Sequence, residues 1–314
     1  ERAGWPISCS PRQTTNFLFH HMMLNPPHTT GGLFMSATNL KKSILITGCS
    51  SGIGYDCAKG MRDAGWRVFA SCRKAEDCAR LQSEGFDSPM IDYTDPLSVS
   101  NGLAEVIAAT GGTLDAVFNN GAYALPGAVE DLPREGLREI FECNLFGVHD
   151  LTRAVLPVMR AQGHGRIINC SSVLGLVTMK WRGAYSASKF AMEGLSDTLR
   201  LEMRGTGIDI ILIEPGPVTS DIRVNSIPHF ERWIDWKNSA RHAEYENTLI
   251  DRLYTSSGPD PFELPASSVT QKLLNACEAK RPKPRYYVTK PTYLMGALRR
   301  VLSTRVLDWV VSRI

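Results

Sequence analysis

The chain lacks the features that would tie it to metal, nucleic acid or disorder. Its eight cysteines (Cys9, Cys49, Cys57, Cys72, Cys78, Cys143, Cys170 and Cys277) include no Cys-x-x-Cys pair and no spacing with histidine that suits zinc. No metal is expected. There is no dense Lys/Arg run with interleaved aromatics, and the net charge is only +3, so nothing points to nucleic acid. Charged residues are 21% against 43% hydrophobic, a balance that excludes a disordered chain. No internal repeat or linker divides residues 35–290, so one domain is expected there. Several cysteines sit inside apolar runs, Cys170 in "RIINCSS" among them, which reads as reduced, buried thiols in a cytoplasmic protein.

The ends differ from the middle. Residues 1–34 mix Pro, His, Thr and Gly without periodicity. Their apolar run is cut by His20 and His21, a poor secretory signal. They read as a disordered leader, with Met35 resembling a natural chain start. The tail "PTYLMGALRRVLSTRVLDWVVSRI" has apolar residues at helical spacing opposite arginines, so residues 291–314 are expected as one amphipathic helix. Arg299, Arg300, Arg305 and Arg313 argue against a membrane span and leave room for peripheral contact with a membrane surface.

Between the ends, short apolar runs alternate with helical patterns. "SILIT", "RVFAS", "MIDY", "LDAVFNN", "RIINCSS", "IDIILIEPG" and "RYYVT" read as strands. This alternation predicts an α/β fold: a Rossmann-type doubly wound parallel sheet of about seven strands in three α/β/α layers. Asp95 is placed to cap a helix that starts at Pro96. Pro157 should kink or weaken a long helix over 134–162. From Ser220 to Pro265 the pattern is irregular, with one or two helices outside the sheet.

Two motifs carry chemistry. In "ILITGCSSGIGYDCAKG", Gly48, Gly52 and Gly54 lie between the first strand and a helix starting near Ile53. Glycine lets backbone approach a ligand, and the free N–H groups at a helix start face an anion. This placement predicts dinucleotide binding. In "AYSASKF", Tyr185 and Lys189 stand four residues apart on one helical face, with only small residues between them. A free tyrosine has a pKa of about 10 and is a sluggish base at neutral pH. A nearby ammonium favours the phenolate and should draw that pKa down. Ser172 ends the strand before that helix and, like its neighbour Ser171, can face the same sheet edge.

The ordered set "TGCSSGIG", "NNGA", Asn144, Ser172 with "YSASK", and "EPGPV" resembles the short-chain dehydrogenase/reductase family over residues 41–290. The glycine spacing matches its shorter branch, not the extended epimerase-like branch. Two groups look especially similar: the 17-beta-hydroxysteroid and retinol dehydrogenase-like reductases, and the bacterial NADP-dependent aldehyde reductases. The resemblance implies reversible hydride transfer at a carbonyl carbon. Tyr185 would be the general acid/base, with Ser172 polarising the substrate oxygen. Lys189 would sit beside Tyr185 and on the nicotinamide ribose, and Asn144 would hold a helix irregularity in a proton relay. It also implies a cofactor site that includes Ser50, Ser51, Ile53, Asp92, Asn119 and Gly121, with Pro215, Gly216 and Val218 at the nicotinamide. Ser220, or Thr219 beside it, would complete this site. "NNGA" departs from the usual NNAG by exchanging Gly121 and Ala122.

Cys72, Arg73 and Lys74 stand where an acidic residue would select NAD(H), so NADP(H) is expected to be preferred over NAD(H). The apolar residues after Ser172 and Ser220 suggest a lipophilic aldehyde, ketone or alcohol as substrate. Family members often pair through the helices at 134–161 and 184–204, so a homo-oligomer is expected. The rival reading is a protein that senses NADP(H) without turnover. A sugar-nucleotide epimerase or dehydratase is disfavoured by the glycine spacing.

Overall fold

Aliphatic runs without polar alternation must be buried on both faces of a sheet, and the strands here are covered on both sides. The computed structural model describes residues 41–255 and 258–313; the expected leader at 1–34 lies outside them. The strands are β1 (Ser43–Ile46), β2 (Arg67–Ala70), β3 (Ala116–Asn119), β4 (Gly165–Cys170), β5 (Ile208–Glu214) and β6 (Arg285–Tyr287). All pair in parallel, in the order β2-β1-β3-β4-β5-β6. The order reverses between β1 and β3, and the crevice beyond their carboxyl ends is the place where such sheets bind ligands.

On one face α1 (Gly52–Asp63) and α9 (Ser267–Glu278) bury Cys57, Met61, Val269 and Leu273. The opposite face carries α3 (Pro96–Ala109), α5 (Gly147–Gln162) and α6 (Gly183–Glu202), burying Val99, Leu103, Leu151, Val155 and Met192. Helices α2 (Ala75–Ser83) and α4 (Arg134–Phe141) complete the doubly wound core. Asp95 caps α3 by accepting from the Leu97 amide at 2.9 Å, with Pro96 in the first turn. The proline at 157 does not end its helix. Helix α5 runs through it to Gly163, whose φ of +75° closes the C-terminus.

Beyond the sheet, α7 (Ile222–Trp233), the short α8 (His242–Glu244) and a π-helical segment, Tyr245–Thr255, form a lid. With Tyr123, Leu125 and Tyr185, the lid residues Phe230, Ile234, Tyr245 and Leu249 make a third apolar cluster.

Two expectations need correction. "MIDY" is not a strand, because it meets the sheet only through a Cys72–Met90 bridge. The Asp92 carboxylate turns the chain away at once, accepting from the Thr94 amide at 2.9 Å and the Thr94 hydroxyl at 2.8 Å. The sheet therefore has six strands. The tail is two helices, α10 (Lys290–Val301) and α11 (Thr304–Val311), broken at Leu302, which is extended (φ −89°, ψ 145°). No helix among the described residues is long and apolar enough to cross a membrane.

Candidate active site

The glycine-rich turn leaves β1 at the switch point. Gly48 and Gly52 have φ of +69° and +55°, in the left-handed region. A Cβ on Gly54 would stand 2.2 Å from the Gly48 carbonyl oxygen and 2.7 Å from Asn120 Nδ2. Only bare backbone fits, so the amides at the start of α1 are open to an anion. Ser51 N-caps α1 in extended conformation without using its hydroxyl for the cap, Ser50 is exposed and Ile53 is half-buried.

Gly121 comes from the end of β3 and meets this turn. A Cβ on Gly48 would lie 2.8 Å from the Gly121 Cα, and one on Gly121 would lie 3.2 Å from the Tyr93 ring. The exchanged order in "NNGA" thus places the glycine where two backbones cross. Asn119 is fully buried, linking Tyr93 Oη (2.8 Å) and Asn169 Oδ1 (2.8 Å) inside the core. The turn is tied by Asn120, to which the "NN" doublet assigned no role of its own. Asn120 Nδ2 donates to the Thr47 and Gly48 carbonyls at 3.0 and 3.3 Å. Arg80 is a second tie, because its guanidinium donates to the Ser50 carbonyl at 2.6 Å and to Glu84 at 2.7 Å. The "NN" doublet signalled the first; nothing in the sequence signalled the second. Arg73 is exposed at the end of β2, and Lys74 lies 3.6 Å from Glu76.

The proton-transfer candidates converge on the carboxyl ends of β4 and β5. Tyr185 stands in the first turn of α6, and Lys189 follows one turn later; both are buried. Lys189 Nζ lies 5.6 Å from the Tyr185 ring centroid and donates to the Cys170 carbonyl at 2.7 Å. Ser172 faces the Tyr185 hydroxyl, and its Oγ accepts from the Leu174 amide at 3.1 Å. Ser171 turns the other way, against Glu193 on α6.

Asn144 lies in a π-helical turn, Glu142–Phe146, between α4 and α5. That turn delivers a fully buried amide to the Tyr123 backbone, with Oδ1 accepting from the amide at 3.1 Å and Nδ2 donating to the carbonyl at 2.9 Å. Nδ2 also reaches Ser188 Oγ at 3.2 Å.

The electrostatics reverse one expectation. Burial pushes the Tyr185 phenol above its ordinary pKa, and the Ser172 hydroxyl opposes this more weakly. Burial likewise pulls the Lys189 ammonium down. The pair is adjacent as expected, but burial of both groups drives each towards its neutral form.

The loop expected at the nicotinamide follows β5. The Pro215 carbonyl accepts from the Val173 amide at 2.7 Å, which ties it to the strand end bearing Ser172. Gly216 packs so tightly under Thr289 that a Cβ would meet its Oγ1 at 2.1 Å. Val218 bridges to Leu264 through the flanking Pro217 carbonyl and Thr219 amide, which turns Val218's own amide and carbonyl to the other side. The Thr219 hydroxyl is taken by Glu263 at 2.7 Å. Ser220 lies instead against the glycine turn, its Cβ 3.3 Å from where a Gly52 Cβ would be.

A turn that only glycine can line at the switch point, beside a strand-end serine and a Tyr–Lys helix, fits an oxidoreductase built on a dinucleotide-binding sheet. Comparison with known proteins narrows the class. The family model described as short chain dehydrogenase matches residues 42–229. The uncharacterized oxidoreductase YbbO of Escherichia coli strain K12 is 39% identical over 274 residues, covering 87% of this chain and 95% of that protein. The NADPH-dependent 3-dehydrocapnine reductase of Ornithobacterium rhinotracheale is 31% identical, covering 84% and 94%. Among solved structures, a short-chain dehydrogenase from Streptomyces avermitilis superposes with a TM-score of 0.71 at 26% identity, covering 87% and 97%. The chain belongs to the short-chain dehydrogenase/reductase family of oxidoreductases.

Proposed function

We propose that this protein is an NADP(H)-dependent oxidoreductase that interconverts a lipophilic aldehyde or ketone and its alcohol. The observation that carries the reading is the meeting of Ser172, Tyr185 and Lys189 at one sheet edge, beside a turn that only glycine can line. When bound there, the cofactor supplies or takes the hydride. The protein handles the proton. The raised pKa keeps the Tyr185 phenol protonated at neutral pH, which is the form that donates to a carbonyl oxygen. Ser172 is placed to donate to the same oxygen. Lys189, 5.6 Å from the ring, stabilises the phenolate left behind. Asn144 positions the Tyr123 loop and Ser188 on the catalytic helix.

Three observations support the finer parts of this reading. Arg73 is exposed and makes no hydrogen bond or ion pair among the described residues, so it is available to a 2′-phosphate; the NADPH-dependent relative points the same way. Asp92 and Asn119 are assigned the adenosine side. Around Tyr185 the walls are Leu125, Leu174, Trp181, Phe230 and Ile234, which suit an apolar chain. Exposed Phe146, Leu195 and Leu201 on the two paired helices support a homo-oligomer. Exposed Val306 and Trp309, with Arg305 and Arg313, support peripheral contact of the tail with a membrane.

Tyr185→Phe separates an enzyme from an NADP(H) sensor. The variant is expected to bind NADPH as the wild type does, by fluorescence titration, and to lose at least about a hundredfold in turnover of medium-chain aldehydes. Unchanged turnover would remove the proton-transfer role. A tighter Kd for NADH than for NADPH in the wild type would overturn the cofactor preference.

A further inference from the structure

One basic cluster near the catalytic helix has no role in the chemistry above. Arg182 precedes α6 and stands three residues before Tyr185. Its guanidinium makes no hydrogen bond or ion pair among the described residues. Two more arginines approach it from the lid: Arg252, which reaches both Asp260 oxygens at 2.9 Å, and Arg223, 3.6 Å from the same carboxylate. The other nearby acid is Glu263, already engaged by the Thr219 hydroxyl and the Asp260 amide at 2.7 Å each. Asp260 thus takes both Arg252 and Arg223, while Arg182, three residues before the catalytic tyrosine, has no side-chain polar partner among the described residues.

The cost of this arrangement is visible in three independent ways. Burial pulls the Arg182 pKa down to about 10, and Arg252 and Arg223 push the same way against Asp260. A cation at the N-terminus of a 20-residue helix with no acid in its first turn opposes the helix dipole. Trp181 and Phe262 are the non-glycine residues with positive φ among the described residues, at 65° and 62°; Trp181 adjoins Arg182 and Phe262 lies within the Asp260–Glu263 turn. Strain of this kind persists where the surroundings hold a chain segment in a working position. The same rim exposes Val224, Tyr254 and Phe262, which are apolar.

We propose that Arg182, with Arg223 and Arg252, binds the oxyanion end of the substrate, and that the substrate is an amphiphile with a reactive carbonyl and a carboxylate, phosphate or sulfonate group. This rests on the carbonyl-reductase reading and specifies its substrate. An oxyanion fills the empty coordination of Arg182, pairs its charge and compensates the start of α6. The carbonyl then lies beneath the lid at Tyr185, with apolar chain against the rim.

The test compares a medium-chain ω-oxo fatty acid with its methyl ester, together with calorimetric binding of decanoate, in the wild type, Arg182→Gln, Arg182→Lys and Arg252→Gln. Thermal melts establish that each variant is folded. The wild type is expected to favour the acid by about tenfold or more in kcat/KM, as a charge-assisted contact provides. Arg182→Gln should lose that preference together with decanoate binding, and Arg182→Lys should recover part of both. Arg252→Gln serves if Arg182→Gln does not fold, and should weaken decanoate at least threefold. Equal turnover of acid and ester by the wild type overturns the inference and leaves the carbonyl-reductase reading intact. If neither compound is turned over, decanoate binding decides: loss in Arg182→Gln supports the anion site, and no binding to the wild type overturns it. If Arg182→Gln weakens NADPH rather than decanoate, the cluster serves the cofactor and the inference fails.

Discussion

Glu214 should make the protein lose stability as the pH rises towards 8, and Glu214→Gln should abolish most of that loss. Glu214 ends β5, is fully buried, and immediately precedes Pro215. It accepts from Arg285 at 2.7 Å, but Arg285 also serves Glu193 and Asp197, and Glu214 Oε2 has no partner. Burial first, and the Glu193 carboxylate second, push the Glu214 carboxyl from 4.5 up to about 8. Its folded pKa therefore exceeds its unfolded one. The stability it contributes is complete below about pH 4.5 and drains away as the pH rises through the folded value. The slope is about 1.4 kcal/mol per pH unit, so the ceiling on the loss by pH 8 is about 5 kcal/mol. Because the pair titrates together, about 3 kcal/mol is the working expectation. Glutamine keeps an acceptor for Arg285 and cannot ionise. Urea unfolding at pH 5, 6, 7 and 8 reads the difference. The wild-type midpoint should fall steadily, while that of Glu214→Gln stays nearly level and overtakes it above pH 6. Parallel falls in both proteins would refute the reasoning. So would a Gln variant weaker by about 3 kcal/mol at every pH, since Arg285 would then need the charge.

Three further outcomes are expected. Gly54→Ala should raise the Kd for NADPH at least tenfold by titration, because its methyl group would meet backbone at 2.2 Å, while the better helix propensity of alanine returns about 1 kcal/mol of stability. Asn144→Ala orphans the Tyr123 amide and carbonyl in the core. It should cost about 2–4 kcal/mol in urea unfolding and lower kcat more than it raises the Kd for NADPH. Arg73→Ser should weaken NADPH by about tenfold and leave NADH binding within twofold, measured by fluorescence quenching.

The fold was legible because burial on both faces writes itself as continuous apolar runs, and six of the seven expected strands pair in the parallel sheet. "MIDY" misled because its length and hydrophobicity match a strand while Asp92 and Thr94 close a turn that hydropathy does not register. The tail misled in the opposite way. Helical spacing continues across Leu302 and Ser303, yet the backbone there is extended, and Arg299 anchors α10 to the Leu176 carbonyl at 2.6 Å. The candidate site was legible where a residue type is rare for its context: glycines after a strand, an asparagine in mid-helix, a tyrosine and lysine separated by small residues. Arg80 and Arg182 were invisible for the converse reason. An arginine in an ordinary helical or loop sequence reads as solvated, and only three-dimensional neighbours give it a role.

The reversed electrostatics of Tyr185 follow from the same distinction between spacing and surroundings. Sequence spacing brings an ammonium beside a phenol and, taken alone, implies an acidic phenol. The fold adds an effect that spacing cannot carry, because Phe230, Ile234 and Tyr245 pack in one cluster with Tyr185 while Lys189 is buried against the end of β4. Desolvation disfavours phenolate and ammonium alike, so each partner is driven towards its neutral form. A neutral phenol is the proton donor that carbonyl reduction requires. In the proposed reaction, a phenolate formed on Tyr185 has Lys189 5.6 Å from its ring, in surroundings where a single charge is worth more than in water. On the proposed reading, the lid does two things with one set of side chains: it shapes an apolar berth for the substrate, and it poises the tyrosine on the donating side of its equilibrium.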